Sequence, residues 1–140
     1  MEVGYKIVHG AISPDLANFV YNYFILKRRA VEWLMENHSH VKDIGIKKNL
    51  YGTWRDPAVP NTYSVYGDAV GDTLLMKLLP IMKKFTELNL SPCYSYVRLY
   101  KKGDILKKHK DRPSCEISTT LHLGGEPWDI YLEGEAISLR

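Results

Sequence analysis

Apolar residues recur every third or fourth position up to about residue 90 and every second position after Pro92. This change of period at Ser91-Pro92 constrains the fold more than any other feature. Helices first and a run of strands afterwards predict an α+β domain whose strands form a largely antiparallel sandwich or barrel, not a parallel sheet with interleaved helices.

The first helix is expected over residues 13–37. Ser13 is an N-cap, Pro14 takes the first helical position and Asp15 puts an acid in the first turn. Leu16, Phe19, Val20, Tyr23, Leu26, Ala30 and Leu34 give the apolar stripe, and Lys27-Arg28-Arg29 reads as its solvated face. Residues 45–67 lose the pattern to Gly52, Pro57, Pro60 and Asn61 yet hold Tyr51, Trp54, Tyr63 and Tyr66, so this stretch reads as a long loop packed over the core or used as a lid. A second helix follows over residues 68–90 through Val70, Leu74, Leu75, Leu78, Met82 and Phe85, with Pro80 expected to kink or split it. Strands are predicted at 93–100, 105–110, 117–123 and 128–132, with Glu133-Gly134 turning into a last strand at 136–139. The 140 residues read as a single domain, 1–90 supplying helical support and loop and 91–140 the sheet.

Composition removes several function classes. With 45% hydrophobic residues, ten Tyr, three Trp and three Phe, the chain has material for a core without disulfides or a structural metal. No apolar run reaches membrane-spanning length and the N-terminus lacks a signal pattern, so an intracellular, cytoplasmic protein without a membrane is the expectation. Cys93 and Cys115 stand 22 positions apart with no CxxC, and both read as small buried apolar residues. No GxGxxG, Walker loop, GxSxG or HExxH is present, which leaves nucleotide-binding and common hydrolase readings without a motif. The net charge of +3 is too small to announce a nucleic-acid binder. It is unevenly spread: residues 98–112 hold seven cations against Asp104 and Asp111, a net of +5, and the rest of the chain sums to −2.

Chemistry concentrates in that same basic stretch. On a strand, His109 and Asp111 would project together while Lys108 and Lys110 face away, offering an imidazole and a carboxylate to one ion. A two-His-one-carboxylate set suits Fe(II), because three protein ligands on one face leave three positions for a chelating cosubstrate and dioxygen. The bland alternative is a surface histidine beside a solvated acid. His38-Ser39-His40 lies just past a helix end in a polar connection and is not expected to bind metal, and His9 stands alone.

Tyr100, Gly103, Leu106 and His109 at steps of three, then Asp111 and Arg112-Pro-Ser-Cys-Glu-Ile-Ser118, resemble the iron(II)- and 2-oxoglutarate-dependent dioxygenases, nearest the prolyl-4-hydroxylase-like oxygenases of phage and bacterial type. Pro92-Cys-Tyr-Ser-Tyr-Val-Arg98-Leu-Tyr100 and Trp128 fit as well, and the likeness extends loosely to residues 72–80 and the first helix. The resemblance implies a double-stranded β-helix, or jelly roll, with helices outside. It implies His109 and Asp111 as metal ligands and catalytic residues, and Tyr100 as donor to a carboxylate of 2-oxoglutarate. Strand parity adds Arg98 and Tyr96 to the lining of the same cavity, with Tyr94 read as sheet packing. The implied cofactors are Fe(II) and 2-oxoglutarate, with ascorbate as reductant. The implied reaction hydroxylates an unactivated C–H bond of a peptide or small molecule, a prolyl residue first, as 2-oxoglutarate becomes succinate and carbon dioxide. If phage-encoded, the protein would act inside a host cell.

The family pattern has a distal His and a basic residue roughly fifty positions after HxD, so by resemblance the chain is expected to be an incomplete copy of the domain. His122, with Ser118 and Thr120 on its face, reads as an ordinary strand residue. The rival from another class is a non-enzymatic jelly-roll binding module gripping an acidic partner or nucleic acid through residues 98–112, although nucleic acid is not the expected partner.

Overall fold

A computed structural model describes residues 4–38, 50–132 and 135–139. The element order is α1 (Pro14–Asn37), β1 (Tyr63–Tyr66), α2 (Ala69–Thr86), β2 (Tyr96–Leu99), β3 (Trp128–Leu132) and β4 (Glu135–Leu139), which is an α+β arrangement. Among the described residues no helix is long and apolar enough to cross a membrane.

The start of α1 follows its sequence signals: the Ser13 hydroxyl accepts the Leu16 N–H at 3.2 Å with Pro14 at the first position. Its buried stripe is different from the expected one. Val20, Phe24 and Val31 are buried, whereas Phe19 and Leu26 are 70% and 66% exposed. Apolar residues surround most of the first three turns, so spacing alone left the buried side open and tertiary packing chose it. Lys27 is likewise on the inner side rather than the solvated face, reaching the carboxylate of Asp68.

The stretch expected to be a loop over the core contains the most buried strand of the described structure. Thr62, Tyr63, Ser64 and Val65 are each 1–2% exposed. β1 pairs antiparallel with β2 (Tyr63 with Leu99, Tyr66 with Tyr96), and on its other edge Thr53 and Ser64 exchange backbone hydrogen bonds of 2.8 and 2.9 Å. Tyr63 and Val65 alternate with Ser64, but over only four residues between Pro60 and Gly67, too short a run for period alone to mark a strand. Gly52 permits the close approach: its φ is +80°, and a Cβ there would lie 2.6 Å from the Ser64 carbonyl oxygen.

Helix α2 is capped by Asp68 and runs unsplit through Pro80, ending at Thr86, four residues before the expected stop, where Glu87 adopts a left-handed conformation. Pro80 is exposed, so water can satisfy the Met76 carbonyl that loses its partner. Asp72 ties α2 to the approach of β2 by accepting the Ser95 N–H at 3.1 Å and its hydroxyl at 2.6 Å. Asp68 joins three elements: Oδ1 accepts the Val70 N–H at 2.8 Å, and Oδ2 takes the Tyr23 hydroxyl at 3.0 Å and the Lys27 ammonium. Burial opposes the charge of Asp68, but Lys27, the Val70 N–H and Tyr23 outweigh it and hold the carboxyl below its ordinary range. The same burial and the Asp68 contact push the Tyr23 phenol up to about 12.

β3 and β4 pair antiparallel, Trp128 opposite Leu139 and Ile130 opposite Ile137, as the hairpin reading requires. The expected turn at Glu133-Gly134 lies outside the described residues. The strands expected at 105–110 and 117–123 do not form: this whole stretch has no regular secondary structure. Alternation marks two faces, but a strand also needs a neighbour to complete its ladder, and none pairs here among the described residues; Ile105 is 73% exposed.

Candidate functional site

β2 brings three of the singled-out side chains to one face. Tyr96, Arg98 and Tyr100 line a cleft of about 230 Å³ together with Thr119, Thr120 and Leu121. The Arg98 guanidinium donates from Nη1 to the Tyr100 hydroxyl at 3.1 Å and from Nη2 to Asp56, to which the Tyr96 hydroxyl also donates. It lies 5.0 and 5.5 Å from the ring centroids of Tyr96 and Tyr100. Tyr100 in turn stacks on Trp128 at 4.9 Å, which joins the β3–β4 hairpin to the cleft. Burial works against the charge on Arg98, but the hydroxyl of Tyr100 and the carboxylate of Asp56 reverse this and keep it firmly cationic. Burial likewise opposes the charge on Asp56, and the Tyr96 hydroxyl, the Ala58 N–H and Arg98 together hold its carboxyl below the usual range.

The turn that leads out of β2 is pinned to the core. Asp104 accepts the Lys101 N–H at 2.8 Å, the Lys101 ammonium at 2.6 Å and the hydroxyl of buried Thr62 at 2.7 Å. Beyond this anchor the chain is exposed, and here His109 and Asp111 lie. Their side chains turn to the same side although no strand carries them: His109 Nε2 is 3.5 Å from Asp111 Oδ1, and both side chains are about half exposed. Each is oriented by one further contact. His109 Nδ1 is 2.8 Å from the Lys107 carbonyl, which can only accept, so Nδ1 carries a hydrogen and Nε2 is the nitrogen turned towards Asp111. Ser118 donates to Asp111 Oδ2 at 2.6 Å, leaving Oδ1 facing the imidazole. Two such atoms held face to face make a gap that suits a cation.

A first-row metal ion fits that gap in part. Ligand atoms about 2.1 Å from such an ion, at right angles, sit about 3 Å apart, so Nε2 and Oδ1, 3.5 Å apart, would have to close by about half an ångström. A third ligand is not at hand: among the described residues no three His, Cys, Asp or Glu side chains gather as a metal-holding group. His122 is half-buried and makes no such group, His38 packs against Trp33 with ring centroids 5.4 Å apart, and His40 lies outside the described residues. Neither His109 nor Asp111 lines the Tyr96–Arg98–Tyr100 cleft.

Two participants escaped sequence reasoning. Asp56, 42 positions before Arg98, is its ion-pair partner, and nothing in a loop sequence announces so distant a contact. Ser118 orients Asp111 from seven positions on, and a reading of 117–123 as strand assigned it only to the face of His122. The cysteines also differ from expectation. Cys93 is exposed, and half-buried Cys115 contacts the Tyr94 hydroxyl at 3.3 Å instead of packing as an apolar group. Tyr94 itself packs as anticipated, against Tyr66 at 4.7 Å and beneath Arg112.

No protein-family model, curated protein or solved structure matches this chain.

Proposed function

We propose that the chain belongs to an Fe(II)- and 2-oxoglutarate-dependent oxygenase that hydroxylates an unactivated C–H bond, with its strands part of a jelly roll. The observation that supports this most is the facing pair His109 Nε2 and Asp111 Oδ1, each oriented by its own hydrogen bond. His109 and Asp111 would hold the metal, which supplies dioxygen activation coupled to oxidative decarboxylation of 2-oxoglutarate. The task of the protein is to bind and orient. Lys107 fixes the histidine tautomer, and Ser118 fixes the carboxylate rotamer. Arg98 and the hydroxyls of Tyr96 and Tyr100 offer charge-assisted donors to a cosubstrate carboxylate. A prolyl residue in a peptide is the first substrate to try.

The test is succinate formation from 2-oxoglutarate with Fe(II) and ascorbate, with and without a proline-rich peptide. Turnover that His109→Ala and Asp111→Asn abolish supports the reading. Turnover indifferent to both substitutions overturns it.

One observation favours a second reading. Lys102, Lys107, Lys108, Lys110 and Arg112 are all exposed and form no ion pair among the described residues, which suits a non-enzymatic module for an acidic partner. Binding that weakens steeply with salt and ignores iron would select it.

A further inference from the structure

The cleft beside β2 already contains a carboxylate. Asp56 comes from the segment that precedes β1, and one of its oxygens, Oδ2, receives both the Tyr96 hydroxyl and Arg98 Nη2. The other oxygen accepts the Ala58 N–H at 2.8 Å, so the local backbone aims the group. Asp56 and Arg98 side chains are only 16% and 11% exposed. A small carboxylate entering from solvent would seek the same two donors, a guanidinium and a phenol on one strand face. The guanidinium also has capacity left over, since Arg98 Nε is buried with no hydrogen-bond partner.

The segment around Asp56 is anchored while its tip is not. Val59 is 1% exposed and Asn61 N–H donates to the Trp54 carbonyl at 3.1 Å, whereas Arg55, Pro57 and Ala58 are exposed. Asp56 can therefore leave Arg98 by turning its side chain, with the loop kept in place.

We propose that Asp56 is a built-in competitor that fills the anion position of the Tyr96–Arg98–Tyr100 cleft and must give way before an external carboxylate is held there. This rests on the reading of the cleft as a carboxylate site. It has a consequence for selectivity. A simple monocarboxylate exchanges one carboxylate for another and gains little, so the cleft favours ligands with a second polar group that the hydroxyls of Thr119 and Thr120 can meet.

Acetate and 2-oxoglutarate, both without metal, are the probes, followed by calorimetry and by the ¹⁵N–¹H signal of Arg98 Nε. Asp56→Asn should bind acetate at least about tenfold more tightly than the wild-type chain, and saturating 2-oxoglutarate should move the Arg98 Nε signal in the wild type. Equal or weaker acetate binding by Asp56→Asn would mean that Asp56 positions Arg98 and does not compete, which overturns the proposal. Should Asp56→Asn lose its fold by circular dichroism, Asp56→Ser, which keeps an acceptor for the Ala58 N–H, takes its place with the same expectation. Since neither probe needs iron, tighter acetate binding without 2-oxoglutarate turnover would leave the competitor standing and remove the oxygenase reading alone.

Discussion

Asp68 and Asp111 are the same residue put to opposite uses. Both receive a hydroxyl and both face a nitrogen base, yet Asp68 is 2% exposed and joins α1 to the cap of α2, while Asp111 is half exposed on a stretch without secondary structure. Asp68 has its acceptor capacity filled by Tyr23, Lys27 and the backbone of α2, so nothing is left over for a ligand. Asp111 keeps one oxygen facing a histidine nitrogen. Saturated partners make a structural joint; unsaturated partners held in place make a candidate site.

The largest effect should come from breaking the joint. Asp68→Ala strands the Lys27 ammonium and uncaps α2, and should cost about 3 kcal/mol or more in chemical denaturation. Gly52→Ala should follow at about 2 kcal/mol, because the new Cβ meets the backbone of β1 and must keep a positive φ. A smaller effect of the joint appears on acidification. Since the folded state holds the Asp68 carboxyl below its ordinary range, the stability it contributes is fully present above about pH 4 and fades as pH falls through the depressed value. Asp68→Asn should flatten that acid limb, read as unfolding free energy against pH. The smallest effect is on the stability of the site: His109→Ala and Asp111→Asn, both half-exposed positions, should shift the unfolding free energy by less than about 0.5 kcal/mol. A loss of more than 2 kcal/mol in either would make the pair a structural joint as well.

How much of this was legible in the sequence follows the same division. Ser13-Pro14-Asp15 and the period of α1 and α2 express local rules, and both helices begin where those rules put them, although α2 ends at Thr86 and runs unsplit through Pro80. The parity of Tyr96, Arg98 and Tyr100 depends only on strand geometry, and the three do share a face. What could not be read depends on distant pairing. β1 is too short for its alternation to mark it, and its neighbours Thr53 and β2 bury it. Lys27 was indistinguishable from Arg28 and Arg29 until Asp68 selected it, and Phe24 was one apolar residue among many around α1. The pairing of His109 with Asp111 was expected through a strand and occurs without one, because Lys107 and Ser118 supply locally the orientation that a ladder would have given.

The most direct test of the site is metal binding itself. Anaerobic titration of the chain with Fe(II), or with Co(II) followed by its visible absorption, should give one saturable site that His109→Ala and Asp111→Asn each weaken at least tenfold, with circular dichroism unchanged. Binding of equal strength in the wild type and both variants, or no binding by a folded wild-type chain, would contradict the account.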